Sequence, residues 1–212
     1  TARVNGLVTP SLNIGFDLAL PQVSVVAPQV SGPLRATGRL RQTENGFEIE
    51  TDAAGPYNAN AKVSGALTPA IDVQFDLAVP NVQPLAPQVN GPLRATGRLR
   101  QTDKGFFVDT SASGPYGARA LVEGLATGPD MSLNFDVNVP NVAPPAPGVN
   151  GPLAAKGTLR QTLAGIAVNT NATGPYNSRA SVSGVVTGSS PKVDFNVSVP
   201  NLAAIVPKLD GP

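Results

Sequence analysis

A Gly-Pro-Leu motif returns along this chain at an interval of 59 or 60 residues. It begins at Gly32, Gly91 and Gly151, and Gly211-Pro212 starts it once more. Arg-Gln-Thr (from Arg41, Arg100 and Arg160) and Gly-Pro-Tyr (ending at Tyr57, Tyr116 and Tyr176) follow the same interval. Because several signatures share one register, the sequence predicts tandem structural units.

The motifs divide the chain into one partial and three complete repeats. We expect residues 1–31 to be the second half of a repeat, residues 32–90, 91–150 and 151–210 to be complete repeats, and residues 211–212 to begin the next. Because the chain starts with Thr1 and not with Met, we expect it to be a piece of a longer array.

Alternation of apolar and polar residues predicts four strands in each repeat. From Leu34 to Arg41 apolar residues alternate with Arg and Thr, and from Phe47 to Asp52 they alternate with acids. This is the period of a half-buried strand, and cross-strand Arg–Glu pairs would help to fix its register. A third strand is expected to place Tyr57, Ala59, Ala61 and Val63 on one face, and a fourth to run from Ile71 to Val79.

Short turns with Gly and Asn favour antiparallel neighbours, and the Pro-rich segment 80–90 is expected to link one repeat to the next. No helical segment is available to cover the apolar faces. The sheet must therefore close as a sandwich or barrel, or fold lengthwise into a trough, which tandem repetition favours. The predicted fold class is all-β, an elongated antiparallel tandem-repeat sheet curled into a trough (a β-taco or U-shaped groove) of about 14 strands.

Composition argues against several classes of function. The chain has no His and no Cys, which excludes thiol chemistry and Cys/His zinc sites and removes the side chain most often used in acid–base catalysis. A net charge of +1 and few aromatic residues make nucleic acid an unfavourable partner. The acids do not follow calcium-loop spacing.

We expect a protein that is not an enzyme and has no catalytic residue, metal site or cofactor. We expect neither a transmembrane span nor a signal peptide within this sequence, because no apolar run approaches 18 residues and no basic-plus-apolar segment is present.

One run of residues resembles a known family. Phe75-Asp76-Leu77, Val79-Pro80-Asn81-Val82, Leu85-Ala86-Pro87 and Gly91-Pro92-Leu93 with Gly97 and Leu99 resemble the degenerate repeats of the TamB-like and AsmA-like proteins of Gram-negative bacteria. The likeness covers essentially all 212 residues. It rests on a loose periodic pattern and not on an invariant motif, and these repeats are more regular than that family's.

The resemblance implies a location and a partner. Proteins of this family form a trough, are anchored in the inner membrane and cross the periplasm, and are associated with lipid transport to the outer membrane and with outer-membrane biogenesis. It therefore implies a periplasmic segment whose hydrophobic groove binds phospholipid, with the inner-membrane anchor outside this sequence. It also implies that the parent chain works with an outer-membrane barrel protein.

The candidate lipid-groove residues are large apolar side chains on the predicted inward faces. They are Phe16, Leu34, Leu40, Phe47, Ile49, Val63, Val73, Phe75, Leu77, Leu93, Leu99, Phe106, Val108, Leu133, Phe135, Val137, Leu153, Leu159, Ile166, Val168, Val193, Phe195 and Val197. The alternative is a structural repeat array, an adhesin stalk or envelope spacer, in which these residues form a closed core.

Other features have two interpretations each. Small inward residues such as Ala36, Gly38 and Ala61 either leave width for a ligand or permit close sheet packing. The arginines, including Arg39 and Arg98, either meet lipid head groups or pair on a solvated strand end with Glu48 or Asp109. The pairing is favoured, and Gly-Pro-Tyr is predicted to be a turn with no binding role.

Overall fold

The computed structural model describes residues 1–8, 11–25, 31–144, 149–187 and 191–200. They form 14 strands: β1 (Ala2–Leu7), β2 (Asn13–Leu20), β3 (Leu34–Thr43), β4 (Gly46–Ala54), β5 (Asn60–Ala66), β6 (Asp72–Val79), β7 (Leu93–Thr102), β8 (Gly105–Ser113), β9 (Arg119–Leu125), β10 (Ser132–Val139), β11 (Leu153–Thr162), β12 (Gly165–Thr173), β13 (Arg179–Val185) and β14 (Lys192–Ser198). Four short 3₁₀ turns complete the secondary structure of these ranges. They contain no helix with the length and apolar character needed to cross a membrane.

The strands form one sheet in which the spatial order follows the order along the chain, from β1 to β14. The pairings described are all antiparallel. The predicted fold class, an all-β antiparallel tandem-repeat sheet of about 14 strands, is confirmed. By its contacts the chain divides into two compact units, residues 1–102 and residues 103–212, which we call unit 1 and unit 2.

In unit 1 the register aligns apolar residues of successive strands on one face. Leu40 of β3 lies opposite Ile14 of β2 and Ile49 of β4. Phe75 of β6 lies opposite Val63 of β5. The alternation read from the sequence therefore places one continuous apolar face on β2 to β7.

Unit 2 repeats the arrangement. Phe135 of β10 lies between Val122 of β9 and Gly157 of β11. Val168 of β12 lies opposite Leu159 of β11. The last pairing of the unit sets Phe195 of β14 opposite Val182 of β13, and these residues share one face.

The opposite face of the sheet is polar and carries exposed ion pairs. A side-chain nitrogen of Arg41 lies 2.7 Å from a carboxylate oxygen of Glu48, which is directly opposite it on β4. The predicted cross-strand Arg–Glu pairing is confirmed at this position. Arg98, however, pairs with Asp72 at 2.5 Å. Asp72 lies directly opposite Arg100 and diagonally from Arg98, so the alternation of residues along the strands did not reveal this partner.

The Gly-Pro-Tyr motif forms a tight turn and not the start of a strand. Pro56 opens a 3₁₀ turn in which the N–H of Ala59 donates to the carbonyl of Pro56 at 3.1 Å. Tyr57 has the left-handed backbone angle φ 59°, and its counterparts in the other repeats share this conformation. β5 therefore begins at Asn60, and the prediction that Tyr57 and Ala59 lie on the third strand is wrong.

The Pro-rich linker after β6 forms a closed loop instead of a helix, as predicted. The N–H of Val82 donates to the carbonyl of Gly91 at 3.0 Å, which brings the two ends of the segment together. Side-chain Oδ1 of Asn81 accepts the N–H groups of Gln83 at 3.0 Å and Gly91 at 3.2 Å. Val82 is buried, so the loop is anchored by one apolar side chain and one amide.

Candidate functional site

The apolar face is the most distinctive chemical feature of each unit. In unit 1 the register places on this face Phe16, Leu34, Leu40, Phe47, Ile49, Val63, Val73, Phe75, Leu77, Leu93 and Leu99. In unit 2 it places Phe106, Val108, Leu133, Phe135, Val137, Leu153, Leu159, Ile166, Val168, Val193, Phe195 and Val197 on the corresponding face. The candidate residues of each unit are thus brought together on one surface.

That surface is only half covered. Among the described residues four apolar side chains are buried, namely Val23, Val73, Val79 and Val82, and no large side chain is fully buried. Val73 is the one candidate among these four, and most other candidates are half-buried by their neighbours on the sheet. Phe195 on β14 is 78% exposed. A packed sandwich would bury most of these side chains, so the described residues of each unit place no second layer of protein over the apolar face.

On the described strands the apolar face carries no Asp, Glu, Lys or Arg side chain. Each described strand of unit 1 places its Arg, Lys, Asp and Glu residues on the polar face, as the pairing of Lys62 with Asp52 at 3.4 Å illustrates. In unit 2 the ammonium of Lys156 lies 2.8 Å from a carboxylate oxygen of Asp136, again on the polar face. A surface with no charge and partial exposure favours contact with an apolar ligand over contact with water.

Aromatic rings lie over glycines of the neighbouring strand. A Cβ atom placed on Gly38 would come 2.6 Å from Cζ of Phe16, and one on Gly157 would come 2.6 Å from Cζ of Phe135. The register sets Phe75 opposite Gly97 in the same way. At these positions the small residue leaves no empty width, because a phenyl ring occupies the space above it.

Alanines form a shallow row across the strands beside these rings. In unit 1, Ala36, Ala53 and Ala61 are directly opposite one another on β3, β4 and β5. In unit 2, Ala155, Ala172 and Ala180 are aligned similarly on β11, β12 and β13. In unit 1 the row ends at Leu18 of β2 and Leu77 of β6, which lie opposite Ala36 and Ala61, so it spans three strands.

Several residues of the apolar face were not among the candidates. Ile14, Leu18 and Leu20 of β2 lie on it, as do Val79, Val122, Val139 and Val182. They continue the same two-residue alternation, so that signal could have found them. The burial of Val23 and Val82 had no such signal, because Val23 lies in a short 3₁₀ turn and Val82 in the linker loop, outside the strands.

The Arg-Gln-Thr triplet has a structural role at its second and third positions. Oε1 of Gln42 accepts the N–H of Leu12 at 3.2 Å, and Oε1 of Gln101 accepts the N–H of Ile71 at 3.2 Å. The hydroxyl of Thr162 donates to the carbonyl of Gly165 at 2.7 Å, which closes the hairpin between β11 and β12. The Gln side chain thus accepts a backbone N–H group from the connection within the preceding hairpin. The Thr side chain stabilises the turn that follows its own strand.

Comparison with known proteins finds no matching family model, curated relative or solved structure. The part of the chain that the structure describes holds no group of three or more acidic, His or Cys residues that could bind a metal ion.

Proposed function

We propose that this chain is a segment of a lipid-conduit protein, in which the apolar face shields the acyl chains of phospholipids. The observation that carries the proposal is the uncharged, half-exposed apolar face present in each unit. Apolar area left in water costs about 25 cal/mol per Å², so a face built from this many large side chains favours a cover. Acyl chains would provide such a cover without a second layer of protein.

The extent of the apolar face favours an extended apolar ligand over a compact one. The face continues from β2 to β7, where Phe16, Val63 and Phe75 all lie on it. Strands are spaced about 4.8 Å apart, so the apolar face of the seven strands in one unit extends about 30 Å along the hydrogen-bonding direction. One acyl chain fills about half of the hydrocarbon core of a membrane, or about 15 Å, so the face is long enough for an extended chain.

The resemblance to TamB-like and AsmA-like repeats supplies the cellular setting of the proposal. On this proposal the segment lies in the periplasm as part of a protein anchored in the inner membrane, and it moves phospholipid towards the outer membrane. Association of the parent chain with an outer-membrane barrel protein, as an aid to protein assembly there, belongs to the same proposal. Catalysis has no part in it.

The proposal is tested by native mass spectrometry and lipid extraction on the purified chain. We expect phospholipid to co-purify, or to bind when supplied in detergent-free form, and we expect Phe75→Asp and Phe135→Asp to lose most of it. The matched control is Gln74→Asp, since Gln74 is adjacent to Phe75 on the same strand and is exposed on the polar face. This control should bind as much phospholipid as the wild-type chain does.

A folded, lipid-free chain that also refuses added phospholipid would contradict the conduit. That result would favour the structural array, in which the repeats provide length and the apolar faces are covered by other protein. Equal lipid loss in Gln74→Asp and Phe75→Asp would also contradict the proposal, because the lipid would then show no preference for the apolar face over the polar face.

A further inference from the structure

The polar face of the third repeat differs from that of the first in the surroundings of one arginine. In the first repeat, Arg41 lies opposite Glu48 and pairs with it at 2.7 Å. Its counterpart in the third repeat is Arg160, and the residue opposite on β12 is Ala167. The arginine is present in both repeats, but the carboxylate beside it is not.

The strand on the other side of Arg160 shows the same replacement. In the second repeat, Arg100 lies opposite Asp72 of β6. In the third, Arg160 lies opposite Ser132 of β10. No residue directly opposite Arg160 is acidic, and among the described residues no carboxylate lies within ion-pair distance of it.

A depression of about 690 Å³ is present at this position on the polar face. We call it the Arg160 pocket, and its polar lining consists of Asn134, Lys156, Thr158, Arg160, Asn169 and Asn171. The first repeat has a smaller depression of about 170 Å³ at Arg39 and Arg41, into which Glu48 and Glu50 project their acids. The larger depression therefore has two cationic side chains, three amides and one hydroxyl in its lining, and no acid.

We propose that the Arg160 pocket binds a phosphate group carried by a hydroxylated molecule, such as a glycerol or sugar phosphate. The planar guanidinium of Arg160 presents parallel N–H donors that match two phosphate oxygens, and the ammonium of Lys156 adds further N–H donors. Asp136 holds the ammonium of Lys156 at 2.8 Å, which fixes its position but leaves Arg160 as the principal anion contact. The amides of Asn134, Asn169 and Asn171 both donate and accept hydrogen bonds, which suits neighbouring hydroxyl groups.

This site goes beyond the lipid proposal, because it lies on the face opposite the apolar one. The same phosphate chemistry has two sources, a soluble phosphate ester and a phospholipid head group at a membrane surface. The two are separated by using glycerol 3-phosphate in one arm and vesicles of phosphatidylglycerol and phosphatidylcholine in the other.

The experiment is an NMR titration of the whole chain at constant ionic strength, following the Arg Nε–H and Asn side-chain amide signals. We expect saturable shifts at Arg160, Asn169 and Asn171 on addition of glycerol 3-phosphate, and none with glycerol. Ala167→Glu restores the acid that the first repeat has at Glu48 and should weaken binding at least about tenfold, as should Arg160→Gln.

The matched control is Arg41→Gln, which removes the corresponding arginine of the first repeat and should leave binding unchanged. In the vesicle arm, sedimentation that depends on Arg160 but not on Arg41 would also support the site and would identify a head group as its source. The proposal is overturned if neither arm shows binding that Ala167→Glu weakens. It is equally overturned if glycerol 3-phosphate shifts the NMR signals of Arg41 and Arg160 to the same extent, since the phosphate would then be an adventitious ion only.

Discussion

The phenyl ring of Phe16 on β2 lies over the backbone of Gly38 on β3. A Cβ atom on Gly38 would come 2.6 Å from the ring and 2.5 Å from the carbonyl oxygen of Glu50 on the other side. Gly38 is directly opposite Phe16 in the register. The glycine is therefore required by its two neighbouring strands and not by its own backbone angles, and the ring protects an otherwise bare stretch of sheet.

Gly38→Ala should destabilise unit 1 by about 1–3 kcal/mol, because the added methyl group cannot move away from the Glu50 carbonyl. Urea unfolding followed by circular dichroism measures this change. The control is Gly15→Ala on the polar face, where the added methyl meets Oδ1 of the Asn5 side chain, which can rotate aside. Equal losses of stability in the two variants would contradict the importance of the Phe16–Gly38 contact.

This contact shows why the sequence predicted the strands better than the details of the apolar face. Alternation alone identifies which residues of β3 point inwards, and the structure agrees. The pairing of Phe16 with Gly38 depends on the register between β2 and β3, which are separated by more than ten residues of sequence. No short turn fixes that register, so the sequence could not tell an open space over Gly38 from one filled by a ring.

The turns were also harder to predict than the strands. A left-handed backbone is uncommon for a bulky residue such as Tyr57, so the motif did not signal it. In the third repeat the hydroxyl of Tyr176 accepts the N–H of Asn150 at 3.2 Å, a contact with a residue 26 positions earlier in the chain. The conformation is thus stabilised by tertiary contacts, which local sequence preferences do not report.

The ion pair between Asp72 and Arg98 predicts a specific dependence on pH. The hydrogen bond from Arg98 lowers the pKa of the Asp72 carboxyl below its usual value of 3.8, and the charge of Arg98 adds to this effect. Because the pKa is lower in the folded chain, the pair contributes stability above the unfolded pKa and loses it as the pH falls through the folded pKa. NMR titration of the Asp72 carboxyl should show the lowered midpoint.

Arg98→Gln is the control for this prediction. It removes the donor that is the largest cause of the shift, so the Asp72 midpoint should rise towards 3.8. The stability difference between wild type and Arg98→Gln should be present at neutral pH and should disappear in acid. An Asp72 midpoint that does not move on this substitution would show that the pair is not formed in solution.

The linker loop after β6 depends on one asparagine. Asn81→Ala removes the acceptor of two backbone N–H groups and should destabilise unit 1 by about 1–2 kcal/mol. Asn141 accepts the N–H groups of Ala143 and Gly151 at 3.0 and 3.2 Å in unit 2, so Asn141→Ala should have a similar effect there. The control is Asn138→Ala, which alters an exposed asparagine of β10. Hydrogen exchange at Gly91 and Gly151 would detect the loss at each loop.

The openness of the apolar face can be tested by stability alone, without a lipid. Phe75 is half-buried, so water reaches its position. Phe75→Ala and Phe75→Asp should therefore lower the free energy of unfolding by amounts that differ by less than about 1 kcal/mol, because the carboxylate remains hydrated. In a closed core the aspartate would cost several kcal/mol more than the alanine, about 2–7 for an unpaired buried polar group and more for a charge. Paired urea denaturation curves of the two variants measure the difference, and a large excess cost for Phe75→Asp would mean that another layer of protein covers this face.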